Sequence, residues 1–172
     1  ESRQVLLLMG PVGAGKSALT EHIKRALDGQ SYYHLEGDPQ KGEPLQLIPR
    51  SLRKDMEEIL GVNIEGDLSP IARWELLNKY EGKYENYPVV ESTFSQRGRR
   101  GIAVVPPMDA NSQDVSVLIG TEDISKLDLY PEDDPRVLSL NGAFNVGNRG
   151  IVEFVEVFKN EIEFLHTMLT AT

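Results

Sequence analysis

At the start of this chain the apolar residues first form a continuous run and then, further along, recur at the spacing of a helix. Residues 4–9 are almost all apolar, which predicts a buried parallel strand. Residues 16–28 repeat apolar positions at helical intervals and end before Gly29, which predicts a helix. We expect the inward face of that helix to consist of Leu19, Ile23, Ala26 and Leu27. The predicted order is therefore strand, loop and helix.

The pattern continues with a short strand and two helices. Residues 31–36 predict the strand, and the turn-rich residues 37–42 follow it. Residues 49–60 open with proline and stop before a glycine, which predicts a helix. Its expected inward face is Leu52, Met56, Ile59 and Leu60. A further helix is predicted over residues 70–80, where Trp74 is expected to pack in the fold rather than stack on a ligand.

Two more strands are predicted on either side of a basic tip. Residues 89–95 and 102–106 have the composition of strands. Between them lie Arg97, Arg99 and Arg100. Two interpretations stay open for these arginines. They belong to a solvated hairpin loop, or they contact a phosphate, a substrate or a neighbouring subunit.

Composition narrows the classes of function. The 172 residues suit one domain, and 40% of them are hydrophobic, so a core can form. Lys and Arg total 18 against 27 Asp and Glu, a formal charge of −9, so we expect no nucleic-acid partner. No apolar run approaches the ~20 residues of a membrane helix, and the chain has no cysteine for a disulfide. We expect no membrane partner. Because the sequence does not start with methionine, we expect it to be part of a longer protein.

The turn between the first strand and the first helix carries the clearest chemical motif. Residues 10–17 fit the pattern G-x-x-x-x-G-K-S, in which glycines let backbone amides turn toward phosphate oxygens at a helix N-terminus. The predicted nucleotide-binding residues are Gly10, Pro11, Val12, Gly13, Ala14, Gly15, Lys16 and Ser17. Lys16 is expected to reach the β- and γ-phosphates, and the Ser17 hydroxyl is expected to bind Mg²⁺. The alternative is a glycine-rich turn with a solvated lysine.

A phosphate-binding loop needs a second strand whose carboxylates complete the site. Residues 150–156 are the best candidate, because Glu156 stands where a water-activating glutamate belongs. Val155 takes the place of the usual magnesium-shell aspartate, and Glu153 lies two residues further back, roughly 6–7 Å along the strand. Alternatively, both glutamates are outward charges on a helix that starts near Ile151. Nucleotide binding is therefore a safer prediction than fast hydrolysis.

Five blocks of this sequence resemble one known family. They are GPVGAGKS, HLEGDPQKGEPLQLIP, FSQRGRRGIAVVPP, NSQDVSVLIGTEDISKLD and NGAFNVGNRGIVEFVEVFKNEIEFLHTMLTAT. Together they are similar to the AAA+ domain of the PrkA-type serine protein kinases. The resemblance implies an α/β P-loop NTPase of the AAA+ type, with three αβα layers and a mainly parallel sheet. It also implies that residues 1–172 are one partial domain that stops after the Walker-B-like strand, with a helical and hairpin insertion at about 38–110.

The resemblance further implies an activity. It indicates a cytoplasmic, ATP-binding serine/threonine protein kinase of bacteria or archaea, linked to stress responses. Its cofactors are ATP and Mg²⁺, its substrate is a protein, and the full-length protein forms a homo-oligomer. By the family pattern residues 10–17 bind ATP, and Lys16, Glu156 and Glu153 are the candidate catalytic residues. Ser69 and Ala72 depart from a cysteine pair at these positions in the family, so no thiol role is expected here.

Two other functions stay open on the sequence alone. One is a mechanical AAA+ ATPase that remodels proteins or assists proteolysis. The other is a nucleotide-sensing module with little turnover, which the valine at position 155 favours. In each case we expect residues 1–172 alone to be poorly active, because the remaining parts of an AAA+ site would follow Thr172.

Overall fold

The computed structural model describes residues 4–107 and 114–157, which form two compact units. The first unit takes its described residues from Glu1–Gln30, Thr93–Thr121 and Leu140–Thr172. The second is formed by Ser31–Ser92 and Glu122–Ser139. Each is a mixture of helices and strands, which agrees with the predicted α/β class. Within the described ranges no helix is both long and apolar enough to cross a membrane.

A parallel pair of strands forms the centre of the first unit. Strand β3 (Ile102–Val105) pairs with β6 (Ile151–Phe154) in the register Ile102 to Ile151. These bounds confirm the strands predicted around residues 102–106 and 150–156. The alternative of a helix starting near Ile151 is wrong. The short helices α4 (Ser116–Ile119) and α5 (Ala143–Val146) belong to the same unit. Its buried core consists of Ala103, Val105, Leu118 and Ala143, with Phe144, Val146, Val152 and Phe154 packed against it.

The predicted first helix is present as α1 (Lys16–Leu27), but its predicted inward face is wrong. Leu19 and Ile23 are 46% and 37% exposed, Ala26 is exposed and Leu27 is half-buried. The residue that α1 buries is Lys24, at 3% exposure. The reason is that charged partners surround the Lys24 ammonium, so a polar stripe of the helix is directed inward.

The strand predicted over residues 4–9 is also wrong. This segment has no regular secondary structure in the described chain, and its apolar side chains are mostly exposed. A strand exists only when a neighbour pairs with its backbone groups. Among the described residues no strand is hydrogen-bonded to this segment.

The second unit contains the predicted strand β1 (Ser31–Leu35), which pairs with β2 (Val89–Thr93). Helices α2 (Arg50–Leu60) and α3 (Pro70–Asn78) agree with their predicted positions. The buried core of the unit consists of Leu35, Leu47, Ala72 and Tyr87, with Leu68, Leu76 and Tyr80 packed against it. Among the described residues a further short pair is formed by β4 (Thr121–Glu122) and β5 (Leu138–Ser139).

The predicted inward face of α2 is wrong, because no residue of this helix is fully buried. Leu52, Ile59 and Leu60 are exposed, and Met56 is half-buried. Instead, the Arg53 guanidinium ties the helix to its unit by donating to the carbonyls of Gln46, Ile48 and Gly66. These hydrogen bonds to backbone replace the expected apolar contact.

The remaining predictions concern Trp74 and the basic tip. Trp74 is half-buried, and the Arg136 guanidinium lies 3.9 Å from its ring centroid, so it packs as expected. The tip is closed by an antiparallel bridge between Ser95 and Arg100, but β2 and β3 on either side of it pair with different strands. Whether the tip contacts a ligand stays a prediction.

Candidate nucleotide-binding site

The loop of residues 10–15 has a backbone shape that requires glycine. Gly13 and Gly15 have φ angles of +83° and +80°. The Ala14 amide donates a 3.3 Å hydrogen bond to the Pro11 carbonyl and closes the turn. A Cβ atom added at Gly13 or Gly15 would meet nothing within 4 Å. Glycine is therefore needed for the left-handed backbone conformation and not for lack of space.

Helix α1 begins directly after this loop with its N-terminus uncapped by a side chain. Gly15 is the N-cap residue and has no side chain that could accept a hydrogen bond. The Leu19 amide donates 3.0 Å to the Gly15 carbonyl, and the preceding amides of the first turn have no intrahelical acceptor. No acidic residue lies in that turn. The positive end of the helix can therefore receive an anion.

The Lys16 ammonium lies against the loop from which it extends. Its Nζ donates 2.7 Å hydrogen bonds to the carbonyl oxygens of both Gly10 and Pro11. Together these bonds use two of the three donors of an ammonium group. The side chain therefore places a positive charge at the start of the loop that leads into α1. This arrangement of donors fits a phosphate group.

Glu153 on β6 is bound to α1 through both of its carboxylate oxygens. Its Oε1 accepts a 2.6 Å hydrogen bond from the Thr20 hydroxyl, and its Oε2 lies 2.6 Å from the Lys24 Nζ. The Glu153 side chain is 16% exposed. Thr20 Oγ1 also lies 3.1 Å from the Ser17 carbonyl oxygen. Glu153 is thereby linked to the helix that carries Lys16 and Ser17.

Lys24 carries a buried positive charge that two glutamates neutralise. Its ammonium contacts Glu21 on the same helix as well as Glu153. Burial by itself lowers the pKa of Lys24, but the hydrogen bonds that its ammonium donates to Glu153 and Glu21 outweigh burial and raise that pKa above its ordinary value. The hydrogen bond from Lys24 likewise lowers the pKa of Glu21. In the folded protein the Lys24 side chain is therefore an ammonium that lies between two carboxylates.

Glu156 lies just beyond the end of the strand. The Val155 amide donates 3.0 Å to the Val105 carbonyl and extends the pairing by one residue past Phe154. Glu156 then has a φ of +55°, and its side chain is exposed. A non-glycine residue in this region costs about 1–2 kcal/mol. Strained backbone of this kind is frequent at functional sites.

Sequence reasoning located the loop and the glutamate strand but missed Glu21, Thr20 and Lys24. A usable signal exists, since Thr20 and Lys24 are separated by one helical turn and so share a face of α1. Among the described residues, including those of this site, no cluster of three or more His, Cys, Asp or Glu side chains could hold a metal ion.

Comparison with known proteins identifies relatives of the whole chain. A family model described as "PrkA AAA domain" matches residues 1–172. A protein of Bacillus subtilis (strain 168) named "ATP-dependent protease PrkA" is 39% identical over 177 residues, which cover 99% of this chain and 28% of that protein. A protein of Escherichia coli (strain K12) named "Serine/threonine kinase YeaG" is 37% identical over 180 residues, covering 100% of this chain and 28% of that protein.

No solved structure matches the chain. The chain spans 28% of the length of the two relatives, so most of each relative has no counterpart in it. Of the blocks that carry the family resemblance, residues 111–113 and 158–172 lie outside the described residues.

Proposed function

The chain belongs to the PrkA AAA domain family, and from that premise we propose that it is the ATP-binding module of a serine/threonine protein kinase. The observation that carries this proposal is the uncapped N-terminus of α1 behind two glycines with positive φ. That geometry presents backbone donors and the Lys16 ammonium to one anion. A triphosphate is the ligand that such a loop fits.

Each residue of the loop has a proposed part in ATP binding. The amides between Gly10 and Gly15 donate to phosphate oxygens, and Lys16 exchanges its bonds to the loop carbonyls for bonds to the β- and γ-phosphates. The Ser17 hydroxyl is proposed as a ligand of Mg²⁺. When bound, Mg²⁺ supplies positive charge to the transferring phosphoryl group. Lys16 adds to that charge, while Glu156 orients or deprotonates the attacking group.

The proposal includes a fold and an assembly for the full-length protein. There β3 and β6 are neighbouring strands of a parallel sheet with helices on both faces, as in a three-layer AAA+ domain. Residues 1–172 then form one domain with an insertion at about 38–110. The full-length protein is proposed to act in the cytoplasm as a homo-oligomer on a protein substrate.

A second activity is supported by the name of one relative. The Bacillus subtilis protein is named an ATP-dependent protease, whereas the Escherichia coli protein is named a kinase. Both activities would use ATP in this proposal, and the geometry of the loop suits either activity. The alternative proposal is therefore an AAA+ ATPase that uses ATP to act mechanically on proteins, including for proteolysis.

The test uses the full-length protein with Mg²⁺ and ATP labelled on the γ-phosphate. Wild type and Lys16→Ala are compared for ATP binding, free phosphate, label on protein serine and cleavage of an unfolded protein. Lys54→Ala is the matched control, because it removes an exposed lysine from α2. Label on serine that depends on Lys16 supports the kinase. Phosphate release and cleavage without label support the protease-linked ATPase, and ATP binding unaffected by Lys16→Ala overturns both proposals.

A further inference from the structure

The geometry points to Glu153 as a positioning residue that acts through Thr20 and Lys24, leaving Glu156 as the carboxylate of the reaction. This inference rests on the proposed ATP site. Sequence reasoning left Glu153 and Glu156 as rival candidates, since both lie on or beside the same strand. The contacts of the Glu153 side chain indicate its role.

The carboxylate of Glu153 is already occupied. One oxygen is hydrogen-bonded to Thr20 and the other to Lys24, each at 2.6 Å. A Mg²⁺ ligand must approach the ion to about 2.1 Å, which would place the metal beside the Lys24 ammonium. Two cations on one carboxylate repel each other. Since Lys24 is 3% exposed, its side chain cannot be displaced into solvent without opening the contact between β6 and α1.

The partners of Glu153 lie on the helix that starts the phosphate-binding site. Thr20 and Lys24 occupy successive turns of α1, so the carboxylate is anchored at two heights along the helix axis. Two anchors resist both sliding and rotation of the helix against the strand. The same helix begins with Lys16 and Ser17. Glu153 therefore fixes the distance from the phosphate-binding end of α1 to β6.

Strand β6 also fixes the place of Glu156 relative to α1. Backbone pairing holds β6 to β3 from Ile151 through Val155. Glu156 follows directly, in a left-handed conformation that ends the strand. Because the strand is fixed to β3 on one side and to α1 through Glu153, the start of the turn at Glu156 has a defined place relative to Lys16. A buried ion pair suits such a role, since it specifies one arrangement more than it adds stability.

The test is a charge exchange in the full-length protein. Glu153→Lys alone places two ammonium groups together. We expect kcat for ATP turnover to fall at least tenfold, with a smaller change in KM for ATP. Adding Lys24→Glu restores an ion pair between the same two positions, with Glu21 beside it. We expect the double variant to recover kcat to within about threefold of wild type, with its Mg²⁺ dependence unchanged. A double variant that folds but is as inactive as Glu153→Lys overturns the inference, because a lysine can replace an anchor but not a metal ligand.

A milder pair covers the case in which the charge exchange fails to fold. Glu153→Gln keeps an acceptor for Thr20, and Lys24→Met removes the ammonium that would otherwise be buried with one partner fewer. We expect this combined variant to retain kcat within about tenfold of wild type and the Mg²⁺ dependence of wild type. A larger loss of kcat, or a shift in Mg²⁺ dependence, would show that the Glu153 charge itself acts on the reaction.

Glu156→Gln, just beyond the end of the same strand, is the matched control. We expect it to bind ATP and to lose turnover, with no recovery when Lys24 is changed. Recovery of turnover by a change at Lys24 would contradict the assignment of Glu156. Failure of the proposed function gives a different result, since wild type itself would then bind no ATP in a Lys16-dependent manner.

Discussion

The Ser69 hydroxyl lies 2.7 Å from Oδ1 of Asp38 and joins the start of α3 to the turn that follows β1. Asp38 is 1% exposed, and its other oxygen accepts a 2.7 Å hydrogen bond from the Gly42 amide. Ser69 Oγ also accepts a 3.0 Å bond from the Ala72 amide and so caps α3. One hydroxyl therefore satisfies a buried carboxylate and a helix N-terminus. These contacts give a structural role to the serine that departs from the cysteine pair of the family.

We expect Ser69→Ala to lower the free energy of unfolding by about 2–4 kcal/mol. The loss combines a missing helix cap, at about 1 kcal/mol, with a buried carboxylate that lacks one donor, at about 1–3 kcal/mol. Urea denaturation followed by circular dichroism measures it. Ser51→Ala is the control, because Ser51 is exposed on α2 and its replacement should change stability by less than about 0.5 kcal/mol. Equal midpoints for both variants would contradict the dual role of Ser69.

We expect Gly150→Ala to be more destabilising than an alanine at an uncrowded glycine. A Cβ atom at Gly150 would lie 1.8 Å from the Gly101 carbonyl oxygen, the same oxygen that accepts the Ile151 amide at 2.8 Å. The backbone at Gly101 cannot move aside without breaking the start of the β3–β6 pair. We therefore expect the free energy of unfolding to fall by about 3 kcal/mol or more.

The comparison variant for that prediction is Gly61→Ala. Gly61 ends α2 with a φ of +67°, and a Cβ atom there would meet nothing within 4 Å. The alanine at this position is then unfavourable only because of its left-handed backbone conformation, which should lower the free energy of unfolding by about 1 kcal/mol. Thermal unfolding of both variants beside wild type gives the ranking. A smaller loss for Gly150→Ala than for Gly61→Ala would show that the strand pair tolerates a shift at its start.

Local signals in the sequence were sufficient for the bounds of most elements. Pro49 and Gly61 limit α2, and Pro70 follows the capping serine of α3, so both helices occur where the pattern predicts them. These residues act on their own backbone through fixed φ, a missing amide or a left-handed turn. Their effects do not depend on distant parts of the chain.

The faces that helices bury depend on distant partners and were predicted wrongly. Periodicity shows which side of α1 is apolar, but Lys24 is buried because Glu153 lies on a strand far along the chain. The strand expected at residues 4–9 failed for a related reason, since pairing depends on a neighbour that local pattern does not supply. A phosphate-binding loop can be proposed from the sequence because the chemistry of such a loop is contained in eight consecutive residues. Thr20 and Lys24 were missed because only the fold brings them to Glu153.

We expect the ion pair of Asp134 and Arg136 to contribute stability that is lost in acid. Arg136 donates to Asp134 from Nε at 2.9 Å and from Nη2 at 2.6 Å, and these bonds lower the pKa of Asp134 to about 2. A lowered folded-state pKa stabilises the fold above the ordinary value of 3.8. That contribution disappears as the pH falls through the folded-state pKa, from about 4 to about 2.

Asp134→Asn measures this contribution. The difference in free energy of unfolding between wild type and variant should be constant near neutral pH and shrink between about pH 4 and pH 2. The Arg136 guanidinium is also held over the rings of Trp74 and Tyr130, at 3.9 and 4.0 Å from their centroids, so its own position should persist in the variant. A difference that stays constant down to pH 2 would show that Asp134 titrates alike in the folded and unfolded states.

We expect Gly15→Ala to weaken ATP binding about tenfold in the full-length protein. The bound loop must keep the left-handed conformation that Gly15 adopts at a φ of +80°, and alanine pays about 1–2 kcal/mol for it. In the variant, the loop can leave this conformation as long as no ATP is bound and must return to it on binding. The strain should therefore lower the affinity for ATP, which is measured with a fluorescent ATP analogue. Gly82→Ala is the control, because Gly82 has a φ of +74° and equal space, but lies outside the loop. It should lower thermal stability with no change in affinity for ATP. Wild-type affinity in Gly15→Ala would mean that the loop binds in a conformation other than the one described.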